Sequence, residues 1–474
     1  MIGSGWDSTG VNAMNDSGEQ RAGRTLRTGL LGMLLPLAIS STAQTVPATV
    51  PEALVMPAPI VETPAAQPRP AVSAAGTRVT PLPRGFDPAQ FEYMAEQLVA
   101  GQRVPGMAMA IVQNGRILSA RGYGITDVNQ PRQIDAHTVF RLASLSKAFA
   151  SATAGLLVND GVLRWDSKVS DYVPGFQLSD ANATAKLTVA DVISQRVGLR
   201  AHNAFDNDIE ANGEYYQVSH KLAGAALSCA PGECYSYQNV AFSLIGDVVF
   251  GATGSFYEQT VERRIFKPLG MNDASMGLAG IQASASWAKP HVRSRRGWAS
   301  LMPKPTYYRM PPAAGVNASI SDMAQWLIAQ TGHRPDVLPA PLLATLHAPL
   351  ISTPDQLRSG WRRERLSSAN YALAWRVVDY AGHNVVFHAG AVQGYRGLVA
   401  MVPERDFGVA ILWNSNSGLP SGMLPTVLDA ALGLPAKQWL DVPTLGNDLM
   451  LARDSDDDDQ DSGASSSRAT AAPR

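Results

Sequence analysis

The chain has 474 residues, of which 39 are Lys or Arg and 40 are Asp or Glu, so its formal net charge is −1. This balance predicts no nucleic-acid partner and no attraction to an anionic membrane, since both select strongly basic proteins. The chain has two cysteines, and its eight histidines show no metal-ligand spacing such as H-E-x-x-H, so no metal site is predicted.

Residues 1–43 are typical of an upstream extension followed by a signal peptide. Arg21, Arg24 and Arg27 precede the apolar run GLLGMLLPLAI, and the small residues after it favour cleavage behind Ala43. The run is too short to span a bilayer as a mature helix. No cysteine lies directly after the run, so we expect no lipid anchor, and cleavage of the signal peptide would leave no stable membrane anchor. The sequence therefore predicts a periplasmic or secreted protein.

Two further segments differ in composition from a folded domain. Prolines recur at short intervals across residues 44–84, which favours an extended, solvated spacer. Residues 445–474 carry the acidic run DSDDDDQD followed by small residues, which favours a disordered tail. Residues 85–444 lie between them and are enough for one large domain with a sizeable core.

The strand patterns of this domain come from its two ends. Residues 106–124, GMAMAIVQNGRILSARGYG, predict two strands joined by Asn114 and Gly115, a pair preferred where both turn positions need positive φ. Far downstream, NVVFHAG, GYRGLVAMVPE and DFGVAILWNS predict three more strands. Helical patterns lie between, in residues 144–158, residues 189–194, FSLIGDVVFGATG and SISDMAQWLIAQ. We predict an α+β fold, with one antiparallel sheet flanked by helices and a separate all-helical subdomain.

The segment FRLASLSKAFAS (140–151) places Lys147 three residues after Ser144 in a small and apolar helical run. Residues three apart on a helix share a face, so the amine can reach the hydroxyl. A desolvated amine can take the proton of a serine, which is otherwise a poor nucleophile. A second copy of the motif, from Ser286 to Lys289, lies in a polar, irregular stretch. Burying a lysine costs free energy unless it is paired, which favours a chemical role for the first copy.

The two cysteines, Cys229 and Cys234, bracket the turn-forming segment APGE. An export signal would carry them into an oxidising compartment, so we predict a disulfide between them. Two unpaired thiols are an alternative. A metal site is a weaker one, because no histidine lies close by in the sequence.

Two more motifs follow Ser-x-x-Lys, namely Tyr237-Gln-Asn239 and His388-Ala-Gly390. In this order and at these wide separations, the three motifs resemble the S-x-x-K, Y-x-N and [KH]-[TSA]-G motifs of the serine β-lactamase-like family. That family includes class C β-lactamases, D-alanyl-D-alanine carboxypeptidases, D-amino-acid peptidases and related esterases. The absence of G-x-S-x-G argues against an α/β-hydrolase, and neither G-x-x-x-x-G-K-[ST] nor G-x-G-x-x-G occurs in the sequence.

The resemblance implies hydrolysis through an acyl-enzyme, which needs no metal and no organic cofactor. It implies that Ser144 is the nucleophile and that Lys147 and Tyr237 share the general base and acid work. A cation beside the phenol would favour its ionised form, so the pair could carry the Ser144 proton to the leaving group. By the same resemblance, the backbone N–H groups of Ser144 and Ala391 form the oxyanion hole.

The resemblance also assigns substrate binding to Asn239, His388 and Gly390. Many β-lactamases have lysine at the start of the third motif, whereas His388 would be largely neutral at pH 7 and, with an unperturbed pKa, would gain a charge near pH 6.5. In the stretch SQRVGLR, Gln195 and Arg196 replace polar residues of a His-x-Ser-Gly-Leu pattern that is common in relatives. This departure leaves the local hydrogen bonding open.

The function predicted from the sequence is an exported serine hydrolase that cleaves an amide or ester of a small molecule or peptide, with a β-lactam or a D-amino-acid peptide as the substrate. A short-chain carboxylesterase of the same fold is an alternative, because these activities differ in pocket shape more than in motif. A β-lactam or wall-peptide sensor that acylates without turnover is another. A catalytically inactive binding protein is disfavoured, because the reactive residues are all present.

Overall fold

The computed structural model of the protein describes residues 79–358 and 360–440. The predicted signal peptide (1–43), the predicted spacer up to residue 78 and the predicted acidic tail (445–474) lie outside the described residues. Within the described ranges, no helix has the length and apolar character needed to cross a membrane.

The strands in the described part of the chain form one large antiparallel sheet and two small ones. The main sheet has eight strands in the order β2-β1-β13-β12-β11-β10-β9-β8, and the small sheets have the orders β3-β7-β4 and β5-β6. The bounds are β1 Gly106–Gln113, β2 Arg116–Gly124, β3 Val139–Arg141, β4 Ser275–Met276, β5 His291–Ser294, β6 Gly297–Ser300, β7 Val316–Ser319, β8 Ile351–Ser352, β9 Leu366–Tyr371, β10 Arg376–Tyr380, β11 His383–Val392, β12 Tyr395–Val402 and β13 Phe407–Trp413.

The helices fall mainly between the strands of the two chain ends. Their bounds are α1 Pro88–Val99, α2 Ser146–Asn159, α3 Val169–Tyr172, α4 Ala181–Lys186, α5 Val189–Ile193, α6 Asp206–Glu210, α7 Tyr215–Ser219, α8 Leu244–Thr253, α9 Tyr257–Val261, α10 Lys267–Leu269, α11 Gly277–Ala283, α12 Pro311–Ala314, α13 Ile320–Ile328, α14 Ala340–Leu346, α15 Gly360–Arg365 and α16 Met423–Leu432. The run from α2 to α10 contains no strand within this fully described stretch, in accordance with the predicted helical part.

Both faces of the main sheet are covered by helices. On β1, small side chains point to one face and larger side chains to the other. The small residues Ala108 and Ala110 belong to the core that also contains α2 and α13. The larger Met107 and Met109 belong to the opposite core, which contains α1 and α16. Successive residues of a strand point to opposite faces, so this alternation lets the helices on the small-residue side lie close to the sheet.

The structure confirms the predicted α+β class and the predicted hairpin. Asn114 and Gly115 have φ of 48° and 69° and join β1 to β2, as a two-residue turn with both residues in the left-handed region requires. Ser319 caps α13 by accepting the Asp322 backbone N–H, while the Asp322 carboxylate accepts the Ser319 N–H. The candidate site lies at the start of α2, beside β11 of the main sheet.

Candidate active site

Ser144 lies on a tight 3₁₀ turn, Ala143–Leu145, that runs directly into α2. The sequence predicted a helix from Ser144, whereas α2 begins two residues later because the turn precedes it. Ala143 has a φ of 49°, a backbone conformation that is unusual for a residue with a Cβ and costs free energy. The turn leaves Ser144 at 8% exposure at the start of α2, where the helix dipole favours negative charge.

The side chain of Lys147 is completely buried, and polar atoms converge on it. Its Nζ lies 3.2 Å from Ser144 Oγ, 2.6 Å from Asn239 Oδ1 and 3.3 Å from the carbonyl oxygen of Ala313. These contacts compensate the cost of removing the amine from water. The structure therefore places Lys147 within reach of the hydroxyl, as the sequence spacing predicted.

Tyr237 is buried beside the lysine, with its ring centroid 4.6 Å from Lys147 Nζ. Its backbone N–H donates to His202 Nδ1 at 2.8 Å, and its carbonyl oxygen accepts the Asn203 N–H at 2.7 Å. Gln195 holds the next residue, because its Oε1 accepts the Gln238 N–H at 2.7 Å and its Nε2 donates to the Gln238 carbonyl at 3.1 Å. The sequence did not predict the hydrogen bonds of Gln195. The structure shows that Gln195 binds both backbone polar groups of Gln238, and this fixes the backbone between Tyr237 and Asn239.

Asn239 connects Lys147 to a buried carboxylate. Its Oδ1 faces Lys147, while its Nδ2 donates to Asp206 Oδ2 at 2.7 Å and to Asn203 Oδ1 at 3.1 Å. Tyr307 donates its hydroxyl to the same Asp206 oxygen at 3.1 Å. No pattern in the sequence indicated Asp206, because it lies in the polar stretch HNAFDND, where a carboxylate is expected to be exposed to solvent.

His388 is buried on β11, and both of its ring nitrogens are engaged. Nδ1 lies 2.7 Å from the Ala389 carbonyl oxygen, which can only accept, so Nδ1 carries the proton and Nε2 accepts from the Tyr371 hydroxyl at 3.2 Å. Burial lowers the pKa of His388 well below 6.5, and the positive charges of Arg376 and Lys147 lower it further. His388 therefore has a lower pKa than an unperturbed imidazole and is neutral at pH 7, and its substrate contact stays a prediction.

A second buried cation, Arg376 of β10, lies near Tyr237 and Tyr371. Its guanidinium carbon is 6.0 Å from the ring centroid of Tyr237 and 5.7 Å from that of Tyr371. The sequence interpretation missed it. An arginine inside the apolar run ALAWRVV was the available signal, because a charge buried in a strand needs a partner or a function.

Gly390 lets β11 lie against the turn that carries Ser144. A Cβ at this position would lie 2.4 Å from the Leu142 carbonyl oxygen and 3.0 Å from the Leu145 nitrogen. Only a residue without a Cβ permits this approach. Pairing between β10 and β11 ends at Phe387, so the segment with Gly390 and the half-buried Ala391 has β12 on one side and no β10 partner on the other.

The second Ser-x-x-Lys copy does not form a comparable pair. Lys289 Nζ lies 2.8 Å from the Asp127 carboxylate, and Ser286 Oγ lies 3.0 Å from Thr138 Oγ1. Each side chain thus has its own partner, which agrees with the preference for Ser144 and Lys147.

Cys229 and Cys234 form a disulfide, with their Cα atoms 6.2 Å apart. The loop that it closes is bound to Arg196: the guanidinium donates to the Gly232 carbonyl at 3.0 Å, and the Gly232 N–H donates to the Arg196 carbonyl at 2.8 Å. Since Arg196 follows Gln195 directly, the disulfide loop supports the segment that fixes the Tyr237 backbone.

Comparison with known proteins places this site in a family context. The chain matches the Beta-lactamase family over residues 91–433. It is 27% identical over 350 residues to the unguisins hydrolase ungD' of Aspergillus campestris, covering 71% of this chain but only 63% of that relative. The octameric penicillin-binding protein homologue from Pyrococcus abyssi superimposes with a TM-score of 0.65 at 23% identity, covering 74% of this chain and 78% of that one. A D-stereospecific amidohydrolase from Streptomyces sp. gives a TM-score of 0.56 at 19% identity, covering 69% and 94%. Together with the three motifs in order, the match over most of the chain shows that the protein belongs to the Beta-lactamase family.

Proposed function

We propose that the protein is an exported serine hydrolase that cleaves an amide or ester through an acyl-enzyme on Ser144. The observation that carries the proposal is the contact of 3.2 Å between the buried Lys147 amine and the Ser144 hydroxyl. A desolvated amine with this geometry is a suitable general base for a serine nucleophile.

In the proposed reaction, unprotonated Lys147 takes the hydroxyl proton while Ser144 Oγ attacks the substrate carbonyl carbon. The backbone N–H groups of Ser144 and Ala391 stabilise the resulting oxyanion. Tyr237 then passes the proton to the leaving nitrogen or oxygen as its bond to the carbonyl carbon breaks. Water attacks the acyl-enzyme in the second half, its proton returns through the same groups, and an acid and free Ser144 are released.

Two features support an amide substrate that carries a carboxylate, such as a β-lactam or a D-amino-acid peptide. Arg376 supplies a positive charge beside Tyr237, where the neutral His388 supplies none. The resemblance to a protein named as a D-stereospecific amidohydrolase agrees with an amide substrate. The neutral His388 favours a second candidate, a short-chain carboxylesterase, if Arg376 does not contact the substrate.

The proposed export is supported by the disulfide, because disulfides persist in oxidising compartments such as the periplasm and the extracellular space. It is also supported by the signal-like composition of residues 1–43.

The proposal is tested by covalent labelling of the purified protein with a fluorophosphonate and a fluorescent penicillin. We expect the adduct on Ser144, its loss in Ser144→Ala and its retention in the matched control Ser286→Ala. Label that persists in Ser144→Ala would refute the assignment. Steady-state hydrolysis of a chromogenic cephalosporin, a D-alanyl-D-alanine peptide and a nitrophenyl ester then identifies the substrate class. A single stoichiometric burst without turnover would indicate a sensor.

Arg376→Gln is expected to lower kcat/KM for carboxylate-bearing substrates by about tenfold or more relative to an uncharged nitrophenyl ester, since a charge-assisted contact contributes about 1.5–3 kcal/mol. Because His388 stays neutral, the ratio of the two kcat/KM values should not rise as the pH falls through 6.5. The exposed Arg164, which pairs with Asp166, provides the control variant Arg164→Gln. Equal losses of kcat/KM for both substrates would mean that Arg376 has only a structural role. A ratio that rises at low pH would mean that His388, and not Arg376, binds the substrate carboxylate.

A further inference from the structure

The buried carboxylate of Asp206 lies two hydrogen bonds away from the lysine that the proposed function makes the general base. Asp206 is 8% exposed, and it contacts Asn239 Nδ2 at 2.7 Å. Asn239 Oδ1 in turn lies 2.6 Å from Lys147 Nζ. A chain of polar contacts therefore runs from a negative group, through one amide, to the reactive amine.

The amide of Asn239 has two possible orientations, and its neighbours select one. A carboxylate oxygen can only accept, so Asp206 requires an N–H of Asn239 to face it. The second N–H is directed to Asn203 Oδ1 at 3.1 Å. With both amide hydrogens committed, Asn239 can present only its oxygen to Lys147.

This orientation matters most when Lys147 has lost a proton. A charged ammonium would itself select the amide oxygen, but a neutral amine can both donate and accept. If the Asn239 side-chain amide rotated by half a turn, one of its N–H groups could donate to the lone pair of the amine. That lone pair is needed to accept the Ser144 proton. With the oxygen facing it, a neutral Lys147 can donate its two N–H groups to Asn239 Oδ1 and to the Ala313 carbonyl oxygen. Its lone pair is then left for the proton of Ser144 Oγ, which lies 3.2 Å from Nζ.

We propose that Asp206 is a positioning residue, which acts through Asn239 to keep the Lys147 lone pair available to Ser144. Tyr307 assists by donating its hydroxyl to the same Asp206 oxygen at 3.1 Å. The inference rests on the proposed function, because it assumes that Lys147 activates Ser144.

The test is the labelling kinetics of Ser144 by a fluorophosphonate. Asp206→Asn keeps the size of the side chain but lets it accept or donate, so the Asn239 amide loses its fixed orientation. We expect the maximal labelling rate to fall about 10- to 100-fold, as for the loss of a hydrogen bond to a charged group, with the half-saturating probe concentration nearly unchanged. Asp208→Asn is the matched control on α6, since Asp208 pairs with Lys221 at the surface, and it should label at the wild-type rate.

A double-mutant cycle separates this role from a general effect on folding. If Asp206 acts through Asn239, Asp206→Asn should have little further effect in an Asn239→Ala background. A wild-type maximal rate in folded Asp206→Asn, or full additivity with Asn239→Ala, would overturn the inference. If Asp206→Asn does not fold, Tyr307→Phe takes its place. That variant should slow labelling about two- to fivefold, in the range of one neutral hydrogen bond, and a wild-type rate would overturn the inference.

The proposed function and this inference fail in distinguishable ways. Wild-type protein that is not labelled on Ser144 contradicts the proposed function itself. Wild-type protein that is labelled on Ser144, together with an Asp206→Asn variant that labels equally fast, contradicts only the role of Asp206.

Discussion

Lys147→Met is expected to lower kcat/KM by about 10²- to 10⁴-fold for every substrate that the protein hydrolyses, the range associated with a lost general base. Methionine has a similar length and is apolar, so it fills the buried space next to Ser144 without supplying an amine. Steady-state kinetics at several pH values measure the loss, and thermal unfolding establishes that the variant is folded.

The matched control for this variant is Lys289→Met in the second Ser-x-x-Lys copy. Lys289 pairs with Asp127 and has no contact with Ser144, so kcat/KM should stay within a few-fold of the wild type. A folded Lys147→Met protein with nearly wild-type activity would mean that some other group removes the Ser144 proton.

Gly390→Ala is expected to lower kcat/KM by about 100-fold or more while leaving most of the sheet intact. The new Cβ would lie 2.4 Å from the Leu142 carbonyl oxygen, which is backbone, so β11 must move away from the nucleophile turn. Such a shift would misplace the Ala391 N–H of the proposed oxyanion hole, and the loss of one oxyanion donor typically costs about 10²- to 10³-fold. The measurement is kcat/KM together with the circular dichroism spectrum.

Gly224→Ala makes the same chemical change in open space, because a Cβ on Gly224 would have no heavy atom within 4 Å. It should retain wild-type activity. If Gly390→Ala were equally active, β11 could not contribute the second oxyanion donor, and a different backbone group would have to be sought.

Local patterns in the sequence predicted several parts of the fold and of the candidate site. Ser144 and Lys147 were identified because burying a lysine costs free energy unless it has a partner, and a serine three residues away on the same helix face can be that partner. The β1–β2 hairpin was found because Asn114 and Gly115 favour positive φ. The three strands β11 to β13 were found because their apolar runs are long and end at turn residues.

Other parts of the structure are not indicated by any short stretch of the sequence. The strands β3, β7 and β8 are two to four residues long, too short for an alternating pattern to stand out. Ala143 adopts positive φ although alanine does not favour it, so only its packed surroundings explain the conformation. Asp206 and Gln195 act through hydrogen bonds to residues more than 30 positions away in the chain, which no sequence window displays.

The main sheet also determines when the protein can fold. One of its pairs joins β1 to β13, with Met107 opposite Trp413, and about three hundred residues of chain separate these partners. The entropy of closing so long a loop is lost before the pairing energy is gained. While the ribosome is still synthesising the helical part, β1 lacks this neighbour, so the complete sheet forms only after β13 has emerged. Under the proposed export, the chain would therefore reach the membrane before its main sheet is complete.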